Sequence, residues 1–221
     1  MVTKAMRHLK IIPIIHSRHD LGSLEQSVRI AKSQSMLGSA IEKHQNVVEQ
    51  FWSQLRSGIE GWRIEYSTTM LYQDALPSTG HPEQIIEHKI VEELAAKGSA
   101  NHVILKWLID KGAHLQGTES PELLLKEYEA VKKALSQGLC SDINDEIDSD
   151  PDIAASSLLE QRDRFIAERI SQTLPTGHLG ILFIGLQHRV QDFLAEDVVV
   201  DFPFGRPRES QGITIREARA S

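Results

Sequence analysis

The sequence predicts a single α/β domain with a mostly parallel central sheet flanked by helices. The first observation behind this is GILFIGLQHR, residues 180–189, an unbroken apolar run with a glycine at each end that fits a strand buried on both faces. The second is a pair of further β-branched runs, LKIIPIIH near the start and DVVVDFPF near the end. The third is the set of segments of helical period between them, because strands alternating with helices are the signature of a parallel sheet. A chain of 221 residues suits one domain, expected over 1–205. Residues 206–221, with Pro207 and mixed charges, are expected to form a loosely held tail.

In chain order, Leu9 to His16 reads as a short buried strand in which Pro13 removes a ladder donor and hints at an edge or bulge. A polar elbow of His16, Ser17, Arg18, His19 and Asp20 follows, and Ser23 to Gln26 forms a capping box. The helical region it opens, to about Ser57, is expected to break or bend at Gly38. Trp62 to Gln73 is aromatic and β-branched and reads as a second strand ending at Asp74. The apolar spacing of Ile85, Ile86, Ile90, Val91 and Leu94 predicts a helix stopping at Gly98, and another runs to Gly112. Ala113 to Glu119 reads as a third strand, after which Ser120 caps a helix with Pro121 at its first position.

The acidic stretch 141–152 lacks the glycine of a calcium-binding loop and is expected to be solvated. Ser157 to Glu160 forms a second capping box, predicting a helix start there. Its apolar stripe of Leu158, Leu159, Phe165, Ile166 and Ile170 also contains Arg162 and Asp163, so at least one of these charges should be buried. Either they form an ion pair that pins the helix, or they face a polar site, for which arginine is the better candidate. After the GILFIG strand, VQDFLAE is expected to be a short helix leading to a final strand.

Composition narrows the function. A net charge of −7 argues against a general nucleic-acid binder, which needs a basic face. The single cysteine, Cys140, excludes an internal disulfide, and no stretch is long enough to cross a bilayer or serve as a signal peptide. The expectation is a soluble cytoplasmic protein without membrane or nucleic-acid partners, and a homo-oligomer is left open.

His16, His19, Asp74, Glu119 and His188 all fall at or just beyond the carboxyl ends of different predicted strands, which in a parallel sheet share one edge. A lone histidine there more often caps a helix. Imidazoles gathered with carboxylates suit a divalent metal such as zinc, manganese or cobalt, or a metal-free acid/base pair. Zincin, redox, phosphate-loop and serine-hydrolase motifs are absent from the sequence.

A strand ending in histidine, a later Gly117-Thr118-Glu119, the helical Arg162-Asp163 pair and then an apolar strand with Gly185-x-x-His188 resemble the TraB/PrgY, Tiki, ChaN and erythromycin-esterase superfamily. The closer part of the match is Leu158 to Arg189; Pro13 stands where that family has the glycine of its first Gly-x-x-His. The resemblance implies an α/β fold, with His16 and His188 as the two motif histidines and Glu119 as an acidic site residue. That family includes metal-dependent proteases, ester-cleaving enzymes and haem-binding members. The leading expectation is therefore a hydrolase of peptide or ester bonds. In it His16, Glu119 and His188, with His19 as a further metal ligand, hold a metal or activate water directly, and Arg162 stabilises a tetrahedral intermediate. The rivals are a protein that binds a metal, haem or small ligand without turnover, and a regulatory protein that meets a basic partner through its acidic loop.

Overall fold

A computed structural model describes residues 6–14, 38–80, 83–136 and 150–205 of the chain. The strands are β1 (Arg7–Ile14), β2 (Thr69–Gln73), β3 (His114–Gln116), β4 (Leu179–Gly185) and β5 (Val198–Asp201). The helices are α1 (Gly38–Glu60), α2 (Ile85–Ala96), α3 (Ala100–Asp110), α4 (Pro121–Ser136) and α5 (Asp150–Thr173). All strand pairs are parallel, in the order β3-β2-β4-β1-β5, so the predicted fold class is the one observed.

GILFIG lies in the centre of the sheet, paired with β1 on one side and β2 on the other. Alternation along the strands splits the core between two faces. Leu71, Ile181 and Phe183 pack with Leu55, Ile59, Leu105 and Leu108 of α1 and α3. Met70, Tyr72, Leu182 and Ile184 pack with Ile166, Ala167 and Ile170 of α5. The chain thus leaves β2 toward one face, whereas the helix that precedes β4 lies on the other. The strand ends where connections diverge to opposite faces bound a crevice in sheets of this kind.

Pro13 is tolerated because β5 pairs only as far as Lys10, so this end of β1 has β4 as its one neighbour. Ser120 caps α4 as expected, its Oγ accepting from Leu123 N at 3.4 Å. α1 begins at Gly38, and the part of the predicted helix before it lies outside the described residues, as do His16, His19, Cys140, most of the acidic stretch and the tail.

Three element expectations are corrected. Trp62 to Gln73 is not one strand: Tyr66–Thr68 forms a 3₁₀ turn, and only Thr69–Gln73 enters the sheet. The hydroxyls of Thr68 and Thr69 both donate to the Glu65 carbonyl, at 3.2 and 2.7 Å, offering the backbone a turn in place of a ladder. α5 starts at Asp150, inside the acidic stretch, and Ser157 is an interior residue whose Oγ accepts from Gln161 one turn on. VQDFLAE forms only the 3₁₀ turn Val190–Asp192.

Candidate active site

Three strand ends contribute one group each. Asp74 follows β2, Glu119 follows β3, and His188 follows the Gly-x-x-His turn after β4. The loop after β2 and the segment after β3 are laced together: Ser78 N donates to the Glu119 carbonyl at 2.7 Å, and Thr118 N and Glu119 N both donate to the Leu76 carbonyl. Gly117 permits this approach, since a Cβ there would stand 2.6 Å from Ser78 Cα and 2.8 Å from the Pro77 carbonyl oxygen. The Gly-Thr-Glu sequence therefore has a steric reason at its first residue. It has a bonding reason at its second, where Thr118 Oγ1 accepts from Gln73 N at 2.9 Å.

Arg162 and Asp163 lie at 4% and 3% exposure on the face of α5 turned to the sheet, so both stripe charges are buried. They do not pair with each other. Arg162 Nε donates to Glu119 Oε2 at 2.7 Å, and one terminal nitrogen donates to Glu119 Oε1 at 2.5 Å and to Asp74 Oδ1 at 2.8 Å. Its other terminal nitrogen donates to Glu127 of α4 at 2.5 Å. Four of its five N–H groups are thereby engaged with carboxylates. Asp163 holds the histidine: its Oδ1 is 2.5 Å from His188 Nδ1, and its Oδ2 accepts from Arg189 N at 2.8 Å. The other imidazole nitrogen, Nε2, stands 3.6 Å from Asp74 Oδ1.

Burial of this cluster shapes its protonation. Desolvation is the largest influence on His188 and favours the neutral ring, but the Asp163 and Asp74 carboxylates together outweigh it and push the pKa up to about 9. Desolvation pushes the Glu119 carboxyl above its ordinary range, against the pull of Arg162. Glu119 accepts from Ala75 N at 3.0 Å and from Arg162, while the neighbouring Asp74 adds to the upward push. Arg162 is raised further above an already high value, because bonds and charges from Glu119, Asp74 and Glu127 exceed its desolvation.

Asp74, Glu119 and His188 each offer one ligand atom, and these atoms lie within 4.8 Å of one another. Donors at about 2.1 Å from a tetrahedral ion stand about 3.4 Å apart, so the most widely spaced of these atoms would have to close by up to about 1.4 Å. Asp163 behind Nδ1 is the arrangement that commonly fixes a metal-ligating imidazole. With His188 neutral, as a metal ligand must be, the buried carboxylates Asp74, Glu119 and Asp163 face the Arg162 guanidinium. The donor types are those of a divalent-cation site, with Arg162 bonded to the same carboxylate oxygens.

Of the residues expected at the site, the structure brings Glu119, Arg162 and His188 together; His16 and His19 lie outside the described residues. β1 runs beside β4, with Ile14 opposite Gly185, and His16 follows Ile14 by two residues. Asp163 as the partner of His188 and Glu127 as the outer partner of Arg162 were not among the expected site residues. Asp163 was visible as a charge on an apolar stripe, whereas Glu127 has nothing in sequence to separate it from other surface glutamates. No family model matches the chain, and no curated protein or solved structure does either.

Proposed function

We propose that the chain is a hydrolase of peptide or ester bonds, with a divalent metal such as zinc, manganese or cobalt held by Asp74, Glu119 and His188. The observation that carries this is the convergence of these three groups at one sheet edge with Asp163 seated behind the imidazole. A metal there supplies a Lewis acid and a bound water of lowered pKa. The protein's part is orientation. Asp163 accepts from Nδ1 and so leaves Nε2 as the nitrogen facing the carboxylates. Arg162 fixes the Asp74 and Glu119 oxygens relative to each other, and Glu127, on the outer side, holds the guanidinium in place.

With its pKa pushed up to about 9, His188 is an imidazolium at neutral pH, so water activation and metal ligation through Nε2 alike require it first to lose that proton, and metal uptake would release it. The proposal keeps the resemblance to the TraB/PrgY, Tiki, ChaN and erythromycin-esterase group as its source of substrate class. His16 and His19 enter it only through their place in the sequence after β1.

The test is metal analysis of protein purified without a histidine tag, together with a screen of peptide and ester substrates on the parent and on Asp74→Asn. Stoichiometric metal and turnover, both lost in the variant, are expected. Absence of both from the parent would sink the proposal. A second reading, a metal, haem or small-ligand binder without turnover, is favoured by the engagement of Arg162 with carboxylates, which occupies groups that a substrate would need. Bound metal without hydrolysis, or a Soret band on haem addition, would select it.

A further inference from the structure

Gln73, the last residue of β2, turns its side chain away from α5 into the helical layer on the other face. It is 2% exposed there, as is Asn101 in the first turn of α3. Asn101 Nδ2 donates to Gln73 Oε1 at 2.7 Å, and Gln73 Nε2 donates to the carbonyl of Asp74 at 2.9 Å. The backbone of the same two residues is held as well, Gln73 N by Thr118 Oγ1 and Asp74 N by the Phe183 carbonyl at 2.9 Å. Asn101 Oδ1 has no hydrogen-bond partner among the described residues. Two buried amides with an unmatched acceptor are a poor choice for stability, since apolar side chains of similar volume leave nothing unpaired.

We propose that Gln73 and Asn101 are positioning residues that set the direction in which Asp74 leaves β2, and with it the spacing of Asp74 from Glu119 and His188. The chain of donors runs from α3 through Gln73 to the Asp74 carbonyl. Together with the Thr118 and Phe183 contacts it leaves the residue little freedom to rotate. The inference rests on the reading of Asp74 as a site residue, but it can be tested without substrate or metal. Gly185 N donates to Asp74 Oδ2 at 2.9 Å, so the exchange rate of that amide reports where the carboxylate stands.

The experiment compares the parent chain with Gln73→Leu/Asn101→Leu, measuring melting temperature, hydrogen exchange at Gly185 relative to Leu182 in the same strand, and Mn²⁺ affinity. The expected result is a melting temperature equal to or above the parent's, exchange at Gly185 faster by about tenfold relative to Leu182, and Mn²⁺ affinity weaker by about tenfold. Gln73→Glu, which keeps the acceptor for Asn101 and removes the donor to Asp74, should speed Gly185 exchange alone among the amides of that strand. Unchanged exchange at Gly185 in both variants would overturn the proposal, as would loss of the fold in both. A parent that takes up no Mn²⁺ would count against the metal reading, while Gly185 exchange would still decide the positioning role.

Discussion

Arg162 shows how one residue serves both structure and chemistry. Its guanidinium matches two carboxylates and a third partner at once, a geometry that the point charge of lysine does not reproduce. Arg162→Lys should leave some N–H contacts to Glu119 and Asp74 unmade in a buried place. Removing one member of such a network costs about 3 to 5 kcal/mol in the worst case, and lysine should lose a good part of that. Denaturant titration should show a clearly lower midpoint; a midpoint equal to the parent's would mean that the guanidinium is not what holds the carboxylates. Asp163→Asn isolates the second function, because the fold keeps a hydrogen-bonding side chain at the same place while His188 loses its ionised acceptor. On the proposed metal reading, Mn²⁺ affinity should fall by about 10- to 100-fold, measured by titration. An unchanged affinity would detach Asp163 from the site.

Among the elements, the pairing of the loop after β2 with the segment after β3 is what brings Asp74 and Glu119 together. Gly117→Ala places a methyl against backbone at Ser78 and Pro77, atoms that cannot swing aside as a flexible side chain would. A loss of about 1 to 3 kcal/mol is expected by calorimetry or denaturant titration, and wild-type stability would show that this approach is not tight in solution. The existence and order of the strands were legible in sequence, but not all their bounds: Trp62 to Gln73 shrinks to Thr69–Gln73 and Ala113 to Glu119 to His114–Gln116. The β-branched runs leave few alternatives in a chain with no membrane-length apolar segment, and even His114–Gln116 was placed by the helices around it. The start of α5 was not legible, because Ser-x-x-Glu is also an ordinary pattern inside a helix, as Ser157 and Glu160 show. In the cluster, Glu119 and His188 were legible as residues at strand ends and Arg162 as a charge on an apolar stripe. Their pairing was not, since separations of 43 and 25 residues are closed only by the packing of α5 on the sheet.

The whole molecule is tied together through α5. Near its C-terminal end Arg7 of β1 donates to the Ser171 carbonyl at 2.8 Å and pairs with Asp197; at its middle, Arg162 and Asp163 engage the groups beyond β2, β3 and β4. Global stability should therefore follow the protonation of the site. His188 has an ordinary pKa of 6.5 and is raised to about 9 in the fold, so the folded state binds its proton more tightly than the unfolded chain does. That contribution is fully present below pH 6.5 and is lost as pH rises through 9, the direction required when the native state holds the extra proton. A shift of this size corresponds to about 3 kcal/mol, an order of magnitude only. Urea midpoints measured in chelator at pH 6, 8 and 10 should fall at each step, with more than half of the loss already present at pH 8, and in His188→Gln this fall should be largely absent. The sequence alone suggests that alanine at His188 would barely touch stability if the residue belongs to a solvated cleft. The buried imidazolium beside Asp163 predicts a substantial loss at pH 6 instead, one that shrinks at pH 10. Parallel curves for parent and variant across this range would show that the His188 proton contributes nothing to the fold.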